Sequence, residues 1–225
     1  MDPQPLKPLK PLKRLILCAD DFAVHQAASQ GIARLATMGR ISATSAMVLS
    51  PRWAADAPLL HDLRGRIDVG LHLDWTSDFA VAAGHGLSLG GAMAKAVMSG
   101  FNREAARVVI ERQLDAFEAQ WKAPPDHVDG HQHVQQFGGI REALVEALQR
   151  RYPKPNPAAA PTAAGTPYLR VSRAPTGQAD LKSRIIAALG ANAINKLAAD
   201  TSESSAAACA EACKQYRTGP ARRSI

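Results

Sequence analysis

The chain has 225 residues, 46% of them hydrophobic and 5% aromatic, with a net charge of +7 at pH 7. This suits one α/β domain with a core built from Ala, Leu, Val and Ile; no run approaches the ~18 apolar residues of a membrane span, and Leu15 to Ala19 is too short for a secretory signal, so a cytoplasmic protein is expected. The charge does not describe a nucleic-acid-binding core, because residues 15–150 carry 12 basic against 15 acidic residues and the surplus lies in the two ends.

Residues 1–13 repeat Lys-Pro-Leu, which excludes a helix and predicts a disordered, basic arm. Residues 14–19, RLILCA, read as a buried strand. A helix follows over 25–38, with Ile32, Leu35 and Ala36 inward and Gly39 at its end. Residues 41–49 are rich in β-branched side chains and form the next strand, 51–61 a short helix, and 66–73 a third strand. Residues 74–102 are Gly-rich without a clean period, which predicts a long loop, with at most one short helix, that could serve as a lid. Ala106, Val109, Ile110, Leu114 and Phe117 recur at helical spacing and predict a helix over 103–121. HVDGHQHV at 127–134 is a strand running into a loop, and 139–150 a helix. Residues 153–167 are a Pro/Ala-rich loop, 168–172 a strand, and 180–199 a last helix. The domain is expected to cover 14–199, with a disordered tail at 200–225.

Strands alternating with helices predict a parallel sheet, as a barrel or an open sheet, with polar chemistry gathered at the C-terminal strand ends. Three places fit. Asp20-Asp21 closes the first strand. His72 lies near the end of the third, with Asp74 behind it. His127, Asp129, His131 and His133 share the fourth segment, so three of the seven histidines fall within seven residues. A carboxylate and neutral imidazoles suit a divalent ion with an open coordination position, and a second carboxylate beside it can take a proton from water. Adjacent aspartates can divide those roles if the strand end bends. Asp129 could orient a ligating histidine. Trp75, just after the third strand, could stack on a substrate ring. His25 is expected to cap a helix, and Thr44 and Ser45 to be strand residues within hydrogen-bonding reach of the site. Cys18, Cys209 and Cys213 are expected to be reduced thiols.

ADDFA at 19–23, GRISATSAMV at 39–48, VGLHLD at 69–74 and HVDGHQHV at 127–134 resemble, in order and spacing, the YdjC-like carbohydrate deacetylases (the ChbG/HpnK group). The resemblance covers roughly residues 14–172. It implies an irregular (β/α) TIM-like barrel and metal-dependent removal of an acetyl group from an N-acetylated amino sugar or chitooligosaccharide. It implies one divalent ion, magnesium with zinc as the alternative, held by Asp21, His72 and His131. Asp20 would be the general base, and His133 and Arg170 would face the substrate. A small carbohydrate would be the partner, with no nucleic acid or membrane and a possible homodimer. The sequence departs from the family in three ways. Ala23 stands where the motif has Gly, Gln135 stands where a His is usual, and nothing after Arg173 supplies the late His-Pro element. The Ser/Ala/Arg-rich end therefore reads as a truncated barrel. The competing expectations are a weakly active metal-binding remnant and a metal hydrolase of another substrate class.

Overall fold

A computed structural model of the chain describes residues 15–98, 100–153 and 167–171, together with Gly190, Ala193, Ile194 and Leu197. The arm expected at 1–13, most of the loop at 153–167, most of the helix at 180–199 and the tail at 200–225 lie outside the described residues. Five strands form one parallel sheet: β1 (Cys18–Phe22), β2 (Ala43–Ala46), β3 (Asp68–Leu73), β4 (His127–Gly130) and β5 (Tyr168–Leu169). Their spatial order is β1-β2-β3-β4-β5. That sequential order is the one an α/β barrel uses, whereas a doubly wound sheet reverses direction at a switch point.

Between the strands lie α1 (Gln26–Thr37), α2 (Trp53–Asp56), α3 (Asp78–Ala82), α4 (Leu89–Met98), α5 (Arg103–Trp121) and α6 (Ile140–Arg151). Turns of 3-10 helix extend α2 over Ala57–Leu63 and follow β4 over His131–Gln136. None of these helices is long and apolar enough to cross a membrane. Residues 74–102, expected as a loop with at most one helix, carry both α3 and α4. α3 forms because Ser77 caps it, accepting from the amides of Phe79 and Ala80. α4 lacks a clean apolar period because it buries only Ala92. α5 matches its expected bounds. Asn102 caps it through Ala105 N–H, and Lys122 ends it in the left-handed region at φ 57°. Ile110, Leu114, Phe117 and Trp121 line its buried face, each contributing roughly 1.5–3 kcal/mol by burial. Leu35 of α1, expected inward, is instead 43% exposed, while Ile32 and Ala36 are buried.

The two faces of the sheet differ. Val69, Leu71, Leu73 and Val128 join the core cluster with the helices. The alternate positions, Ser45, Gly70, His72, His127 and Asp129, make the other face polar, as the period of two requires. His127 is buried there with its ring stacked on Tyr168 at 5.2 Å. Burial pushes its pKa down to about 4, and it is neutral. Gly70 makes room for this ring, because a Cβ at position 70 would lie 2.5 Å from two of its atoms. Gly70→Ala is therefore expected to destabilise the fold by about 1–3 kcal/mol through overpacking. A lower urea midpoint at unchanged slope is the measurement, and an unchanged midpoint would show that the ring yields freely.

Candidate metal centre

β1 starts and ends later than RLILCA suggests. Leu15 is 82% exposed, and the strand runs from Cys18 through both aspartates. Ala19 pairs with Thr44 and Phe22 with Ala46, so Asp20 and Asp21 together stand opposite Ser45. This is a β-bulge, and Asp21 occupies the left-handed region at φ 61°. The bend expected at the strand end is thus built into the strand. Ala23, where the family motif has Gly, also has a positive φ of 71°. Its amide donates to Ser29 Oγ and its carbonyl accepts from Ser50 Oγ, which holds the alanine in a conformation glycine would adopt without strain.

Asp21 and His72 meet His131, which opens the 3-10 turn after β4. Asp21 Oδ1 lies 3.3 Å from His72 Nε2 and 3.0 Å from His131 Nδ1. The two rings are edge to face at 5.5 Å, and one donor atom of each of the three residues falls within 4.8 Å of the others. Donors about 2.1 Å from a shared ion stand roughly 3.0–3.4 Å apart at ordinary coordination angles, so both Asp21 separations fit a common ion. His72 is buried, while Asp21 and His131 are partly open, leaving a solvent side to the cluster.

His72 is oriented from behind. Its Nδ1 lies 2.6 Å from Oδ1 of Asp129, a fully buried carboxylate. Ser45 Oγ donates to Asp129 Oδ2 at 3.1 Å and also lies 3.1 Å from His72 Nδ1. An Nδ1–H donated to Asp129 leaves Nε2 facing Asp21, the tautomer a metal ligand needs. Ser45 was legible as a polar position in a strand whose four residues are all buried. Burial alone would raise the Asp129 pKa, but the hydrogen bond from His72 and the nearby positive groups outweigh it and hold it low. Hydrogen bonds from His131 and His72 hold Asp21 well below the usual carboxylate range. Burial opposes a proton on His72, yet its bonds to Asp129 and Asp21 prevail and push its pKa up to about 9.

That shift has a sign for metal binding. Below pH 9 an incoming ion must displace the His72 proton, so apparent affinity is expected to rise about tenfold per pH unit toward 9 and flatten above it. Calorimetry in buffers of different ionisation enthalpy would detect the released proton. A pH-independent affinity would remove His72 from the ligand set.

The other expected site residues fall as follows. Asp20 is partly exposed, and both its oxygens accept from Arg170, at 2.6 and 2.5 Å. Arg170, expected to face substrate, thus turns its fork onto Asp20, with Nη2 also 3.0 Å from Asp129. Trp75, expected to stack on a sugar, is 3% exposed. Its ring packs edge-on against His85 and Phe101, so it anchors the segment after β3 and offers no open face. Gln132 and His133 both have positive φ, so His133 does not continue the face that His127 and Asp129 share, as an extended strand would require. His25 caps α1, its Nδ1 accepting from Ala27 N–H. Asp74 accepts from the amides of Thr76 and Ser77, and its own backbone is bonded on both sides by Gln113, so it shapes the turn. Burial pushes the Cys18 thiol up to about 12, which makes it inert at neutral pH.

Known proteins bear on this arrangement. A chitooligosaccharide deacetylase of Proteus mirabilis (strain HI4320) is 28% identical over 142 residues, 61% of this chain and 56% of its own length. A carbohydrate deacetylase of Homo sapiens is 29% identical over 152 residues, 62% of this chain and 46% of its own. The chain spans about half the length of these curated relatives. The crystal structure of a candidate cellobiose-phosphate cleavage protein from Enterococcus faecalis V583 shares the fold, with a TM-score of 0.51 at 23% identity over 60% of this chain and 55% of that one. The family model for YdjC-like protein matches residues 14–221, so this chain belongs to the YdjC-like family.

Proposed function

We propose that the chain is a metal-dependent carbohydrate N-deacetylase acting on an acetamido group of an amino sugar or chitooligosaccharide. The observation that carries this reading is the convergence of Asp21, His72 and His131 beside a second carboxylate, Asp20, at one end of the parallel sheet. The deacetylases among its relatives support the substrate class.

Asp21, His72 and His131 would hold the ion. A divalent ion there supplies Lewis-acid polarisation of the amide carbonyl and lowers the pKa of water. Asp20 accepts the proton of the attacking water. Each carboxylate oxygen has two lone-pair positions, so the Arg170 fork leaves one free on each for this task. Asp129 and Ser45 keep His72 in the binding tautomer. Two imidazoles and one carboxylate suit zinc or a similar late first-row ion better than magnesium, which prefers oxygen donors. Both ions belong in the test. The compartment we propose is the cytoplasm, where a thiol such as Cys18 stays reduced.

The experiment is acetate release from N-acetylated chitooligosaccharides by the purified chain with zinc or magnesium. Metal-dependent release that a chelator abolishes is the expected outcome. A tightly bound ion without release would reject this substrate class, and failure to bind either ion would reject the site.

A further inference from the structure

Arg170 follows directly on β5. Its amide donates to Val128 O at 3.0 Å, and its carbonyl accepts from Gln135 Nε2 at 3.1 Å, so its backbone is held on both sides. Its guanidinium reaches across the sheet to β1. Nη1 and Nη2 fork the two oxygens of Asp20, and Nη2 also meets Asp129 Oδ2 at 3.0 Å. The other oxygen of Asp129 holds His72. Asp21, His72, Asp129, Arg170 and Asp20 therefore form a continuous chain of contacts.

We infer that Arg170 is a positioning residue that fixes the Asp20 carboxylate by bridging it to buried Asp129, so that base and ligand are oriented from one carboxylate. This rests on the deacetylase reading above. The physical argument has two parts. Asp20 lies on a bulge at the edge of the described sheet, and of its neighbours it is Arg170 that grips both its oxygens. Without the guanidinium, Asp20 and Asp129 would face each other as like charges, and Asp20 would turn toward solvent. The bidentate fork also fixes the plane of the carboxylate, and with it the direction of the free lone pairs.

The test uses the full chain loaded with zinc or magnesium and the variants Arg170→Met and Arg170→Lys. Metal affinity is expected to stay near the wild-type value in both, which also reports that they fold. Arg170→Met is expected to lose roughly hundredfold in kcat with little change in KM, the size of effect that misplacement of a reacting group produces. Arg170→Lys should recover only part, because an ammonium cannot fork a carboxylate. A raised KM at unchanged kcat would make Arg170 a substrate contact instead, and unchanged kinetics would show the clamp dispensable. If the wild-type chain binds metal but releases no acetate, the deacetylase reading fails, and the crystal structure of Arg170→Met decides the clamp. Asp20 displaced with Asp21, His72 and His131 unmoved supports it, and Asp20 in place overturns it.

Discussion

His131→Ala is expected to reduce metal-dependent acetate release to the level of the uncatalysed control and to remove tight metal binding. Two donors, Asp21 and His72, would remain, and Asp21 would lose one of the two hydrogen bonds that hold its pKa down. Little else should change. His131 opens a 3-10 turn, and its partly exposed side chain meets Asp21 and the His72 ring. Its removal costs the fold about 1 kcal/mol, the usual net worth of one side-chain hydrogen bond. Metal titration and thermal unfolding of the metal-free chain, done side by side, separate the two effects. A variant that unfolds like the wild type yet still binds the ion tightly would remove His131 from the ligand set.

Asp129→Asn is the second large expectation, and its interest is that it changes almost no volume. The carboxylate serves His72 through one oxygen and Ser45 and Arg170 through the other. An asparagine has one acceptor and one donor to divide between them. If its NH2 faces Arg170, two donors oppose each other in a fully buried place. If its NH2 faces His72, the ring must present a bare Nδ1 and carry its proton on Nε2, where the ion should bind. Either outcome weakens the site, and the usual cost of losing such a partner is about 10–100-fold in metal affinity or activity. Metal titration measures the affinity, and nitrogen NMR of His72 reports the tautomer. Wild-type affinity with the Nδ1–H tautomer retained would show that Asp129 does not orient the ligand.

Much of this arrangement was legible in the sequence where side-chain periodicity and local chemistry agree. α5 was readable because Ala106, Val109, Ile110, Leu114 and Phe117 recur at helical spacing along its length. The residues that converge were readable because each polar motif falls at the C-terminal end of an expected strand. Other features depend on contacts that no local pattern encodes. The run RLILCA reads as a strand, yet Leu15 and Leu17 are exposed and the ladder starts at Cys18. α4 fully buries only Ala92, with Met93 and Ala96 half-buried beside it, so its period carries little signal. Trp75 was expected at the substrate because it follows His72, but it is His85 and Phe101, 10 and 26 residues on, that decide where the ring goes. Arg170 was expected to face substrate for the same kind of reason. Its partner Asp20 is 150 residues away in the chain and stands on β1, at the opposite end of the strand order from β5, so the contact is made by side chains reaching across the polar face.

The bulge at Asp20-Asp21 has a consequence for how this strand tolerates change. In an uninterrupted ladder from Cys18, side-chain parity would send Asp21 toward the helices and Phe22 toward the polar face. The extra residue shifts the phase by half a period, so both carboxylates face one side and Phe22 returns to the core, where it packs edge-on against Trp53. Substitutions at these positions leave that phase alone. Loss of one of the two aspartates would leave Phe22 opposite Ala46 and the remaining carboxylate opposite Ser45, a regular ladder carrying one carboxylate in place of two. The extra residue is thus what seats two carboxylates on one side of a stretch of ladder that otherwise has room for one.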